Sequence, residues 1–198
     1  MKKDIQLSSE DVIDLTPEEL NAWDIKVIPF LCEDASTPLA DLHKKLAETG
    51  EPMLVSAPKV AQFEEHFYDL LSDAEHIIHF SASSYLSAGY NSAVVASHEN
   101  SNITVIDTHG NSGAIALLAF YARDLISMGY GYKEIVALLL ERRDRIERSF
   151  LCESIAVLGA YRMIPKKSLF AAKLFKTRAE FVYGTEGELR FGKRYHGS

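Results

Sequence analysis

A short apolar run, Ile77-Ile78-His79-Phe80, opens into Ser81-Ala82-Ser83-Ser84-Tyr85-Leu86-Ser87-Ala88-Gly89. Small residues from Ala88 to Ser97 then begin a predicted helix. The N–H groups of a helix's first turn lack intrahelical partners and lie at the positive end of its dipole. Serine hydroxyls add donors without adding charge. A strand ending in such a loop suits a carboxylate or phosphate head group. Two further loops share the form: Val55-Ser56-Ala57-Pro58, and Asp107-Thr108-His109-Gly110-Asn111-Ser112-Gly113. In parallel α/β sheets ligands lie beyond the carboxyl ends of the strands, so three such loops on one edge point to binding. Each has a structural alternative. Ser56 and Ser112 fit helix N-caps, Asp107 fits an acceptor for loop amides, and His79 fits a core histidine. His109 is open to either role.

Ser87, Asp107 and either His79 or His109 have the residue types of a nucleophilic triad. Ser87 sits in Tyr-Leu-Ser-Ala-Gly, however, which lacks the first glycine of a nucleophile elbow. No phosphate-binding P-loop, dinucleotide fingerprint or His-Glu-x-x-His motif occurs. The expectation is therefore binding rather than catalysis, with no cofactor and no metal.

Strands and helices must alternate to position these loops. Ile25–Phe30, Ile77–Phe80 and Ile103–Asp107 read as short strands, the last two as buried parallel ones. Thr16-Pro17-Glu18-Glu19 has a helix N-terminus signature, with Thr as cap, Pro in the first turn and acids beside it. Thr37-Pro38 repeats it, opening a helix to about residue 47, and Ser56-Ala57-Pro58 opens a third helix running through Leu71. Ser112 to Ile126 and Tyr132 to Ile146 read as amphipathic helices. Beyond Phe150 a short helix and a hairpin turning at Thr185-Glu186-Gly187 are expected. The fold class is α/β: a parallel sheet with flanking helices over residues 1–148, then a small, truncated α+β second lobe over 149–198.

The 198 residues carry a net charge of −7, yet residues 160–198 hold nine Lys/Arg against three Glu. The rest is thus strongly acidic, which disfavours non-specific nucleic-acid binding. Two distant cysteines, Cys32 and Cys152, suit a reducing cytoplasm and exclude a disulfide framework. The start of the chain reads as no signal peptide, and no apolar stretch is long enough to span a membrane.

The loops resemble, in order and spacing, the DegV family of bacterial fatty-acid-binding proteins. The matching motifs are V-S-A-P at 55–58, S-S-Y-L-S-A-G-Y-N-S-A at 83–93 and V-I-D-T at 105–108. D-L-T-P-E-E-L at 14–20, followed by I-K-V-I-P-F, resembles the family's opening. The resemblance implies one long-chain fatty acid in a tunnel between two lobes, its carboxylate held by loop hydroxyls. It also implies presentation of that acid to a fatty acid kinase. Ser87 matches the head-group serine, and Ser56 lies in the matching first loop. The candidate ligand-binding set is Ser56, Ser83, Ser84, Ser87, Gly89, Ser112 and Arg162, in a cytoplasmic carrier that could form a homodimer. Where the family pattern has Gly-Thr after its serine, Ala88-Gly89 stands here, with one hydroxyl fewer. A domain that kept the fold, lost the lipid and acts through protein contacts is the alternative.

Overall fold

The computed structural model describes residues 2–32, 44, 48–49, 55–152 and 177–196. The helix expected at Thr37-Pro38, the short helix after Phe150 and Arg162 lie outside them. Residues 2–30, 56–147 and 185–188 form one compact unit, and the other described residues form a second.

The first unit is built on a four-stranded parallel sheet. Its strands are β1 (Lys3–Glu10), β2 (Ile25–Ile28), β5 (Ala74–Ser81) and β6 (Ile103–Asp107), in the order β2-β1-β5-β6. Strand β1 is absent from the sequence reading because Gln6, Ser8, Ser9 and Glu10 make it look like a polar surface segment. All four are buried. Leu7 pairs with Ile78 and Ser8 with His79, so alternate residues face opposite layers.

On one face, Ile5, Leu7, Ile78, Phe80 and Ile106 pack with buried residues of α4 (Gly113–Ser127) and α5 (Tyr132–Arg143). On the other, Ile28 and Ile77 pack with Phe63 and Phe67 of α2 (Val60–Asp73) and Ala93 of α3 (Gly89–Ser97). Phe63 and Phe67 stand one helical turn apart, and burying each contributes about 1.5–3 kcal/mol. Helix α1 (Pro17–Ala22) has Thr16 as its N-cap, as foreseen, and Glu19 completes a capping box with it. Helix α2 starts later than expected. Lys59, not Ser56, is its N-cap residue, and the Gln62 side chain accepts the Lys59 amide proton.

In the second unit, β7 (Ser149–Cys152), β8 (Thr177–Tyr183) and β9 (Leu189–His196) form an antiparallel sheet in that order. Phe181 is its buried centre, stacked on Phe150 with ring centroids 5.4 Å apart. The β8–β9 hairpin turns where expected, and Gly187 takes φ +90°. Two short strands, β3 (Leu31–Cys32) and β4 (Val55–Ser56), pair separately.

Between β1, β5 and α2 lies a closed polar knot. Ser8 Oγ is 2.8 Å from His66 Nε2 and 3.0 Å from His79 Nδ1. The hydroxyl can donate only once, so at least one of the two facing nitrogens carries a proton. His79 is fully buried, edge-on to Phe63 and Phe67, and its Nε2 has no hydrogen-bond partner among the described residues. It is the core histidine that the sequence left as one option. Burial, and secondarily His66, push its pKa down to about 3. The unfolded chain takes up this proton near pH 6.5, the folded chain only near pH 3. The neutral ring's contribution is therefore complete above pH 6.5 and is lost as pH falls toward 3. Urea unfolding from pH 7 to 4 should show a loss approaching about 1.4 kcal/mol per pH unit from this residue. His79→Gln should flatten that part of the slope.

Candidate functional site

The carboxyl ends of β1, β5 and β6 bring three loops together, and carboxylates organise them. Asp107, the last residue of β6, accepts hydrogen bonds from the Ser84 amide at 3.2 Å and the His109 amide at 2.9 Å. It is thus the acceptor for loop amides that the sequence offered as one reading. The Asp107 carbonyl accepts from Arg143 Nη1 at 3.2 Å. Thr108 donates its amide and its hydroxyl to the Ser81 carbonyl, at 3.1 and 2.8 Å, tying the two loops side by side.

Glu10 ends β1 with no exposed surface. Its Oε2 accepts the Ala82 amide proton at 2.7 Å, and its Oε1 accepts weakly from Ser81 Oγ at 3.4 Å. A Cβ on Gly89 would stand 1.8 Å from Glu10 Oε1 and 3.3 Å from Ser87 Oγ. The glutamate head therefore lies against the first residue of α3, beside Ser87. Burial, reinforced by Asp11 and Asp107, outweighs the two hydrogen bonds and raises the Glu10 pKa to about 7. Burial also raises the Asp11 pKa, although its Oδ1 accepts the Phe30 amide proton at 3.0 Å.

The serine loop differs from the expected row of free donors. The amides of Ala82, Ser83, Ser84, Tyr85, Leu86, Ser87 and Gly89 all bond acceptors within the protein. Ser83 is buried, and its hydroxyl donates to the Gly187 carbonyl at 2.8 Å while accepting from the Tyr85 amide. The Ser87 hydroxyl accepts the Gly89 amide proton at 3.0 Å, so its own proton is free to donate. The Ser84 side chain, half-buried, hydrogen-bonds nothing among the described residues. Ser84, Ser87 and buried Gly89 are close together in the chain, and Ser87 Oγ bonds the Gly89 amide. Ser56 is exposed at the end of β4 and Ser112 is exposed before α4. Ser112 has φ +53°, and its hydroxyl caps nothing. Its amide instead donates to the Val12 carbonyl at 3.1 Å, joining the β1 loop to the β6 loop.

No described histidine hydrogen-bonds Ser87, since His79 turns to Ser8 and the His109 Nδ1 is buried without a partner. No triad is assembled. Glu10 is the site residue that sequence reasoning missed. Nothing in the sequence signals it, because the strand that it ends reads as a polar surface segment.

Two consequences are measurable. Gly89→Ala must displace the Glu10 head from a filled space and should cost about 1–3 kcal/mol in urea unfolding. The loss should shrink in a Glu10→Ala background, where the collision is removed. The folded-state pKa of Glu10 lies above its unfolded value of 4.5. Its contribution is therefore complete below pH 4.5 and is lost as pH rises toward 7. Glu10→Gln should abolish that trend, which is opposite in sign to that of His79.

The DegV family model, described as "Uncharacterised protein, DegV family", matches residues 10–176. A Thermotoga maritima protein described as a fatty acid-binding protein is 34% identical over 106 residues, covering 52% of this chain and 37% of its own. A Staphylococcus aureus DegV domain-containing 15.5 kDa protein is 33% identical over 146 residues, covering 70% of this chain and 95% of its own. The chain thus spans well under two thirds of the Thermotoga maritima relative. Among solved structures, a Thermotoga maritima protein reported to reveal fatty acid binding function superposes with a TM-score of 0.83. It is 25% identical, and the match covers 98% of this chain and 72% of that one. The Val55–Pro58 loop is not on this sheet edge, because Val55–Ser56 pairs with β3 in a separate two-stranded sheet, whereas the serine loop and the 107–113 loop do lie there. With the family model matched over most of the chain's length, the chain belongs to the DegV family.

Proposed function

We propose that this chain binds a long-chain fatty acid and carries it for lipid metabolism in the cytoplasm. The observation that carries the reading is the free donor pair Ser84 and Ser87, set at the start of α3 in a DegV loop. Relatives described as fatty-acid-binding support it. In this reading Ser87 donates to the head group and Ser84 supplies a second hydroxyl. Gly89 lets the chain approach closely, while Ser83 and Ser112 hold the loops in place through Gly187 and Val12. The family resemblance adds Ser56 and Arg162 as candidate head-group residues, and Arg162 lies outside the described residues. A tail of about 14 methylenes contributes roughly 11 kcal/mol on burial before ordering costs, so affinity comes from the tail and orientation from the serines.

The bound acid would be handed to a fatty acid kinase, and a homodimer is compatible with that role. The chain acts as a binder, without chemistry of its own. No helix among the described residues is long and apolar enough to cross a membrane.

Mass spectrometry of the purified protein under native and denaturing conditions should show a bound long-chain acid released on unfolding. Ser87→Ala should weaken uptake of added hexadecanoic acid by about five- to tenfold, the loss of one hydrogen bond. An empty protein that takes up no added lipid would favour the alternative, a DegV domain that acts through protein contacts.

A further inference from the structure

Asp107 is held from two sides. Its carboxylate accepts the amide protons of Ser84, at 3.2 Å, and His109, at 2.9 Å. Its carbonyl accepts from Nη1 of Arg143, 36 positions along the chain, at 3.2 Å. Arg143 is the last residue of α5, and its Nε donates to Asp144 Oδ1 at 2.9 Å. A basic residue at the end of a helix ordinarily stands in solvent and answers the helix dipole. Arg145 fits that description, with 69% of its side chain exposed and Glu141 as its partner. Arg143 differs. Its side chain is 18% exposed and reaches the end of β6.

The loop after Asp107 does not keep its shape by backbone preference alone. His109 and Ser112 take φ of +52° and +53°, in the left-handed region that residues other than glycine disfavour. Such residues persist where their surroundings over-determine them. Asp107 Oδ1 holds the His109 amide, the Ser81 carbonyl holds Thr108, and the Val12 carbonyl holds the Ser112 amide. The first of these depends on where the Asp107 carboxylate stands, and Arg143 is the group that reaches that residue from the helix layer.

We propose that Arg143 is a positioning residue for the head-group loop, acting through Asp107. By fixing the end of β6 it fixes the carboxylate that holds the Ser84 amide. The Ser84 hydroxyl is placed with it, as is the turn in which the amides of Leu86 and Ser87 bond the Ser83 carbonyl. Arg143 thus places donors from a distance and has no need to touch the lipid. The inference rests on the lipid-binding reading above and names a residue of α5 on which that site depends.

The test uses the full chain with Arg143→Met, which keeps the aliphatic stem and removes the donors. Amide hydrogen exchange supplies a readout that a general loss of stability would not reproduce. The Ser84 and His109 amides should exchange about tenfold faster or more, while the Ala82 amide, held by Glu10, keeps its rate. Hexadecanoic acid, measured by equilibrium dialysis, should bind about three- to tenfold more weakly, the scale of one charge-assisted hydrogen bond. Asp144→Ala, which removes the ion pair at the helix end, should leave both readouts at wild-type values. Equal acceleration at Ala82, Ser84 and His109 would mark a general structural role and overturn the proposal. Wild-type affinity in a folded Arg143→Met would overturn it while the lipid reading stands, and so would the same losses in Asp144→Ala. If the wild type binds no hexadecanoic acid, the lipid reading fails and the inference falls with it. Should Arg143→Met not fold, as judged by circular dichroism, Arg143→Gln takes its place with the same expectations. If neither variant folds, Arg143 supports the whole domain and the proposal is overturned.

Discussion

A strand that carries a glutamine, two serines and a glutamate into the interior must find a hydrogen-bond partner for each. Strand β1 lies between β2 and β5, and its Gln6, Ser8, Ser9 and Glu10 are buried. Each is answered by a particular neighbour. Gln6 reaches the carbonyls of Leu7 and Asp24, at 2.9 and 2.6 Å. Ser8 engages two histidines, and Ser9 donates to the Phe80 carbonyl at 3.0 Å. Glu10 takes the Ala82 amide. These bonds set the register of β1 against β5 and the path of the chain where β5 becomes the serine loop. A buried polar group without a partner costs about 1–3 kcal/mol, so the arrangement has few alternatives.

At the sheet's carboxyl edge this need becomes functional geometry. Open loops at helix starts in α/β proteins leave their amides to an anionic ligand. Here two internal carboxylates, Glu10 and Asp107, stand in that role for the amides of Ala82, Ser84 and His109. The loop is held rigidly before any ligand arrives, and the groups left to meet one are hydroxyls. The Ser83–Gly187 bond has the same character: the turn of a hairpin closes on the loop, and the φ of +90° at Gly187 together with a Cβ space only 2.4 Å from Ser83 Oγ restrict that position to glycine.

Elements with strong local signals were legible. The Thr16 N-cap, the apolar runs of β5 and β6, the long helices α4 and α5, and the Gly187 hairpin follow from patterns within a dozen residues. Strand β1 was not legible, because its polar residues are buried by partners far along the chain, about 70 positions away for Phe80 and Ala82. The start of α2 was misplaced for a related reason. Ser56 pairs into β4, and the first turn is closed by Gln62 reaching back to Lys59, a signature that a Ser-x-Pro reading passes over.

For the candidate site, the sequence by itself determined its class: serine-rich loops between strand ends and helix starts, in the order that marks the DegV family. Those are local patterns, and local chemistry writes them. Only the tertiary structure decided which donors remain for a ligand. Whether the amide of Ser84 or the hydroxyl of Ser87 is available depends on where Asp107 and Glu10 arrive in space, and both come from other strands. Hydrogen bonding saturates: an N–H that already meets a carboxylate inside the fold is lost to anything outside it.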